Sequence, residues 1–208
     1  MSKDAPSHAH EIIPNLWLGD ITSSQDINFH NYYKIDCVFN CTKDLHFIPK
    51  YKLKHKQSHY RLPVHDNRKE EELILFGKNC IEVIARIDML LKKNKKILVH
   101  CYAGAQRSAA IVAMYIIFKF HLTPDDAIRK IKDIRPQAFY KGVNFKPAIY
   151  SYYKALILPV QQDAPIDNIL LPNNDDDGRS DTPSELTVGL SVGSLILLII
   201  LLTHLTSQ

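Results

Sequence analysis

Cysteine is scarce in this chain: four residues, Cys37, Cys41, Cys80 and Cys101, with no CxxC pair and no Cys/His spacing of a zinc site. That argues against a disulfide scaffold and a structural metal, and no cofactor is expected. The first residues, MSKDAPSHAHEII, lack the apolar core of a secretory signal, so the body of the chain is expected in a reducing compartment where thiols persist. No RNA-binding module and no basic stripe interleaved with aromatics is present, so nucleic acid is not an expected partner. Charge of one sign is locally missing too. Residues 1–158 hold 25 Lys/Arg against 15 Asp/Glu, net +10, whereas residues 159–208 hold one Arg and seven acids, net −6. The final stretch, LTVGLSVGSLILLIILLTHL, Leu186 to Leu205, has no charge at all.

These imbalances divide the 208 residues into three parts. One globular domain over 1–158 is the natural size for a single core. Residues 159–185, rich in Pro, Asp, Asn and Ser without an apolar period, read as an acidic disordered linker. Residues 186–205 match the roughly 20 apolar residues that cross a bilayer as a helix, so a C-terminal transmembrane anchor is expected, leaving the domain in the cytosol. Gly189 and Gly193 stand at the GxxxG spacing that lets two membrane helices pack as a dimer, though lipid also tolerates two glycines without a partner.

Within 1–158, segments of strand and helix character alternate, which predicts an α/β fold. LWLGD, DCVFNCT, HYRLPV and KKILVH read as strands, and Thr22, Ser23 and Ser24 offer a cap for a helix running to Tyr33. Apolar residues at three and four spacing from Leu73 to Leu91 predict an amphipathic helix over 70–93, with acids at its start and lysines at its end. Ser108 to Phe120 is apolar nearly all round, as a central helix is. Thr123 caps a further helix with Pro124 at its first position, and a last one is expected over 144–156.

The chemistry concentrates in VHCYAGAQRSAAIV, residues 99–112: a strand, a tight loop and a helix start. Backbone N–H groups of such a loop and the positive end of the helix attract an oxyanion. Gly104 permits the sharp turn. Arg107 supplies a planar, permanently charged fork that grips two phosphate oxygens together. In the same field the Cys101 thiol is expected to ionise, since helix N-termini and nearby cations bring thiol pKa values to about 3.5–7.5. The reading is of an anionic nucleophile beneath a bound phosphate; the competing one is a core cysteine beside an unrelated surface arginine.

The HCxxGxxRS pattern of residues 100–108 resembles the signature of the protein tyrosine phosphatase superfamily, and the chain over residues 11–156 is similar to its small dual-specificity phosphatases. IIPNLWLGD, CVFNCT, LPVHDN and IRP followed by VNF carry the wider similarity. The resemblance implies a central mixed sheet flanked by helices. It also implies Cys101 as the nucleophile forming a phosphocysteine, Arg107 as the phosphate clamp, Ser108 assisting thiolate departure and His100 supporting the thiolate. Tyr102, Ala103, Gly104, Ala105 and Gln106 would form the substrate-binding loop, with Gln106 departing from the small residue usual there and facing the phosphate through its backbone. Asp66, upstream in PVHDN, would be the general acid that protonates the leaving group and then activates water. A turn-forming Asp before Asn67 is the alternative for that position, and Glu70, Glu71 and Glu72 read as helix-start charges.

A domain this short implies a shallow site open to phosphotyrosine, phosphoserine and phosphothreonine in protein substrates. Left open are a phosphoinositide or RNA 5′-phosphatase on the same scaffold and a phosphate-binding adaptor without turnover. Lys50, Lys52, Lys54 and Lys56 form either a solvated edge or a patch for an acidic substrate or membrane surface.

Overall fold

The strand segments assemble into one sheet. The computed structural model describes residues 8–66 and 69–157. The expected linker, 159–185, and the apolar segment, 186–205, lie outside the described residues. Among the described residues no helix is long and apolar enough to cross a membrane.

Five strands are arranged in the order β1 (Ala9–Ile13), β2 (Leu16–Gly19), β5 (Ile97–His100), β3 (Cys37–Asn40), β4 (Ser58–Arg61). The first pair is antiparallel and the other three pairings are parallel, so the sheet is mixed. The segment IIPNLWLGD, expected as a single strand, folds instead as a hairpin. Asn15 takes a left-handed φ of 68° at the turn, a conformation Asn tolerates better than most residues. β5 lies centrally, paired with β2 and β3, and all four of its residues are buried, as a short apolar run between two partners requires.

Side chains alternate across this sheet. Trp17, Leu98 and Val38 sit side by side in register and join Ile35 in a cluster against which Phe29 and Phe47 pack. On this side run two short helices, α1 (Ile21–Gln25) and α2 (Ile27–Tyr33), where one helix was expected. The break has a local cause. Asp26 closes α1 and accepts the Asn28 and Phe29 N–H groups, capping α2 with its side chain. The cap of α1 is Asp20 rather than the expected Thr22 to Ser24, in a reciprocal capping box with Ser23.

The long helix α3 (Glu70–Lys92) and α4 (Arg107–Phe120) pack on β5, and α4 also lies against α5 (Pro124–Ile134). Residues 108–117 of α4 are buried without exception, which explains its apolar character on every side. Thr123 caps α5 as expected, accepting the Asp126 N–H at 3.2 Å. The last helix, α6, spans Lys146–Ile157.

Two buried histidines tie the sheet to its surroundings. His30 sets one ring nitrogen 3.2 Å from the Ser23 carbonyl and the other 2.9 Å from Gln57 Nε2, one donating and one accepting, as only a neutral imidazole can. Burial pulls His30 and His100 from 6.5 down to about 4. The unfolded chain therefore binds protons in that interval which the folded chain refuses, so this stability is complete above pH 6.5 and lost as pH falls towards 4. A shift of this size is worth at most about 3 kcal/mol per histidine. Urea midpoints should drop as pH is lowered through this window, and His30→Gln, which cannot take up the proton, should show a shallower drop than the parent chain; parallel curves would contradict the assignment.

Candidate active site

β5 delivers His100 and Cys101 to the C-terminal end of the parallel strands, where ligands of open α/β sheets bind. The loop from Cys101 to Gln106 then leads into α4, which begins at Arg107, one residue before the expected start. What shapes this loop is the fate of its carbonyls. The His100 ring lies 3.3 Å from the Cys101 carbonyl, the Ile21 N–H donates to that of Tyr102 at 2.9 Å, Arg135 Nε to that of Gly104 at 3.1 Å, and the Phe139 N–H to that of Ala105 at 2.8 Å. Among the described residues no protein acceptor takes the N–H groups of Tyr102 to Gln106. The loop thus spends its acceptors on the scaffold and keeps its donors for a ligand, the arrangement of an anion cradle.

Gly104 makes this possible. Its φ is +62°, and a Cβ there would stand 2.5 Å from the Gly19 carbonyl oxygen and 2.6 Å from Arg135 Nη2. Both steric contact and backbone conformation exclude a side chain.

Cys101 is buried, 1% exposed, and accepts a hydrogen bond from Ser108 Oγ at 3.2 Å. Ser108, expected to assist thiolate departure, is the second residue of α4, and its hydroxyl reaches the thiol. His100, also implied, meets the Cys101 backbone rather than its sulfur. Its imidazole is neutral near pH 7 because burial lowers it to about 4, so it positions the loop without adding charge. Burial keeps the other three thiols protonated near pH 7: it pushes Cys80 up to about 12, Cys37 up to about 11, and Cys41 upward as well, with Cys101 contributing to the last.

Arg107 Nη1 donates to the Val64 carbonyl at 3.1 Å, while its buried Nε has no hydrogen-bond partner among the described residues and stands 3.9 Å from Asp66 Oδ2. Asp66 is therefore brought to the rim of the same loop. Two contacts hold it there. Asn144 Nδ2 donates to its Oδ1 at 2.8 Å, and Glu72 accepts the neighbouring His65 N–H at 2.9 Å while pairing with Lys43 at 2.9 Å. Those two hydrogen bonds hold the Glu72 carboxyl below its ordinary range. Expected only as a helix-start charge, Glu72 is a strut for the loop that carries Asp66.

Of the predicted loop residues, Gly104 and Gln106 are buried, Ala105 is half-buried, and Ala103 and Tyr102 face outward, Tyr102 being 62% exposed. The residue the sequence did not single out is Arg135. It is fully buried, and besides Gly104 it reaches the His8 carbonyl, His10 Nδ1 at 3.0 Å and Asp20 Oδ2 at 3.7 Å. Burial lowers its pKa and the Asp20 carboxylate opposes that. A signal existed: Ala127 and Ile131 form the buried stripe of α5, and Arg135 is the next position four residues on. Among the described residues no group of three His, Cys, Asp or Glu side chains could hold a metal ion.

A thiol at the base of an anion cradle, with a guanidinium and a carboxylate at its rim, is the site of the cysteine-dependent phosphatase class. Residues 16–155 match the model of the dual specificity phosphatase catalytic domain, and the chain belongs to that family. It is similar to the dual specificity protein phosphatase 9 of Homo sapiens, 32% identical over 137 residues, 64% of this chain and 34% of that protein. Among solved structures it superposes on human DUSP28 with a TM-score of 0.63 at 20% identity, over 74% of this chain and 99% of that one. PTPMT1 in complex with PI(5)P gives 0.56 at 18% identity, over 71% and 96%. The chain spans roughly a fifth to two fifths of the length of the curated relatives it matches.

Replacing Gly104 by Ala should abolish phosphate binding and turnover together, since the Cβ would displace the Gly104 carbonyl from Arg135. Isothermal titration with inorganic phosphate or tungstate checks this, and retained affinity in Gly104→Ala would show that the cradle does not depend on the turn.

Proposed function

We propose that the chain hydrolyses phosphate monoesters of protein tyrosine, serine and threonine through a phosphocysteine on Cys101, without a metal. The observation that carries this reading is the convergence at one loop of the Cys101 thiol, the Arg107 guanidinium and the Asp66 carboxyl.

The reaction divides into two displacements. Arg107 and the N–H groups of residues 102–106 hold the three non-bridging oxygens, and the Cys101 thiolate attacks phosphorus. A sulfur–phosphorus bond forms as the bond to the ester oxygen breaks, and protonated Asp66 gives that oxygen its proton. Water then attacks phosphorus, Asp66 takes its proton, and inorganic phosphate leaves as sulfur recovers its electron pair. The Ser108 hydroxyl, already directed at Sγ, stabilises the departing thiolate. The family match and the relatives' names support protein phosphatase chemistry. Phosphoinositides are the competing substrates, on the ground that PTPMT1 was crystallised with PI(5)P on the same fold.

Kinetics on the full chain with phosphopeptides, phosphoinositides and 5′-triphosphorylated RNA separate these readings. Cys101→Ser should lose turnover by about three orders of magnitude or more while still binding phosphate. Asp66→Ala should lose about 100-fold or more on phosphotyrosine peptides and much less on an activated aryl phosphate, whose phenolate needs no proton. Undiminished activity in Cys101→Ser, or preference for a lipid or RNA substrate, would overturn the assignment.

Residues 186–205 are proposed as a membrane anchor on their length and lack of charge. Joined to it through residues 159–185, the site would act on phosphoproteins at that surface. Carbonate-washed membranes should retain the full chain and release one ending at Glu185; equal release of both would remove the anchor.

A further inference from the structure

Gln106 stands immediately before Arg107, and its side chain points away from the phosphate cradle, buried at 7% exposure. All three of its described hydrogen bonds go to one loop. Nε2 donates to the Tyr140 carbonyl at 3.1 Å and to the Gly142 carbonyl at 2.8 Å, and Oε1 accepts the Asn144 N–H at 3.0 Å. An amide is the side chain suited to this task, because it offers two donors and an acceptor in one plane.

The loop it holds is one that needs holding. Phe139, Lys141 and Gly142 all have positive φ, 57°, 60° and 109°, and the first two are residues for which that conformation is costly. From its end, Asn144 donates to Asp66 Oδ1. The route is short and continuous: Gln106, Asn144, Asp66.

We infer that Gln106 is the positioning residue for the general acid: by fixing the 140–144 loop it places the Asn144 amide that aims the Asp66 carboxyl at the leaving oxygen. This rests on the proposed role of Asp66. It gives a physical use to the residue by which this chain departs from the small side chain usual before the signature arginine. A small side chain could not span to Tyr140, Gly142 and Asn144, so residues 140–144 would lose their side-chain tie to the active-site loop, and the Phe139 N–H to Ala105 carbonyl bond would hold only the start of that segment. The device couples the two halves of the site. The helix start that binds the phosphate also sets where the proton stands.

The test uses the full chain and two aryl phosphates, one with an activated and one with a poor leaving group. In Gln106→Ala and in Gln106→Met, which keeps the volume but not the hydrogen bonds, kcat on the poor leaving group should fall about tenfold or more beyond any fall on the activated one. Asn144→Ala should show the same discrimination, and Gln106→Ala/Asn144→Ala should be little worse than either single variant, as expected of residues acting in series. In an Asp66→Ala background, Gln106→Ala should add no leaving-group dependence. Equal losses on both substrates would overturn the inference, placing Gln106 in phosphate binding alone, and additive losses in the Asp66→Ala background would overturn it as well. If Asp66→Ala itself shows no leaving-group dependence, the acid assignment fails and this inference with it. If Asp66→Ala shows the dependence and Gln106→Met does not, only the inference fails.

Discussion

The active site depends on where the carbonyls of residues 101–105 are sent. A six-residue loop that turned its acceptors inward would repel a phosphate; one that pins them to the scaffold presents donors. Here the pins come from three regions of the chain: His100 beside the loop, the start of α1 at Ile21, and Arg135 at the end of α5 with Phe139 just beyond it. Building the cradle therefore requires the sheet, both flanking layers and the 135–145 segment to be in place together. The positive φ of Gly104 and the close approach of the Gly19 carbonyl are consequences of the same demand.

Arg135 carries the largest share of that burden. A guanidinium buried without partners would cost several kcal/mol, and its contacts with Gly104, His8, His10 and Asp20 offset that cost while linking the N-terminal hairpin to the loop. Asp20 in turn caps α1 through its other oxygen, which brings the Ile21 N–H to the Tyr102 carbonyl. The ion pair of buried Arg135 with half-buried Asp20 thus fixes two of the four pins. Buried charge serves here to specify geometry more than to stabilise the fold, and the neutral His100 fits the same pattern of positioning without charge.

Much of this was legible in sequence. The strand-loop-helix reading of residues 99–112, the α3 amphipathic period and the Thr123-Pro124 helix start all rest on local rules, and each corresponds to an element of the structure. What was not legible depends on partners distant in the chain. Asp26 reads as one polar residue in a helical stretch until its side chain is seen capping a second helix. Glu72 carries the signature of a helix-start acid, yet its carboxylate serves the His65 N–H and Lys43. Gln106 looked like a neutral departure within a loop because its three hydrogen-bond partners lie 34 to 38 residues away. Side-chain periodicity carries no information about such partners.

The central claim is that the cradle exists to hold a phosphoryl group over Cys101. It is tested most directly by acid-quenching the chain during turnover of a phosphotyrosine peptide and reading the masses of its proteolytic fragments. The account predicts one added phosphoryl group on the fragment containing Cys101, absent in Cys101→Ser. Turnover with the phosphoryl group on another residue, or sustained turnover in Cys101→Ser, would contradict it.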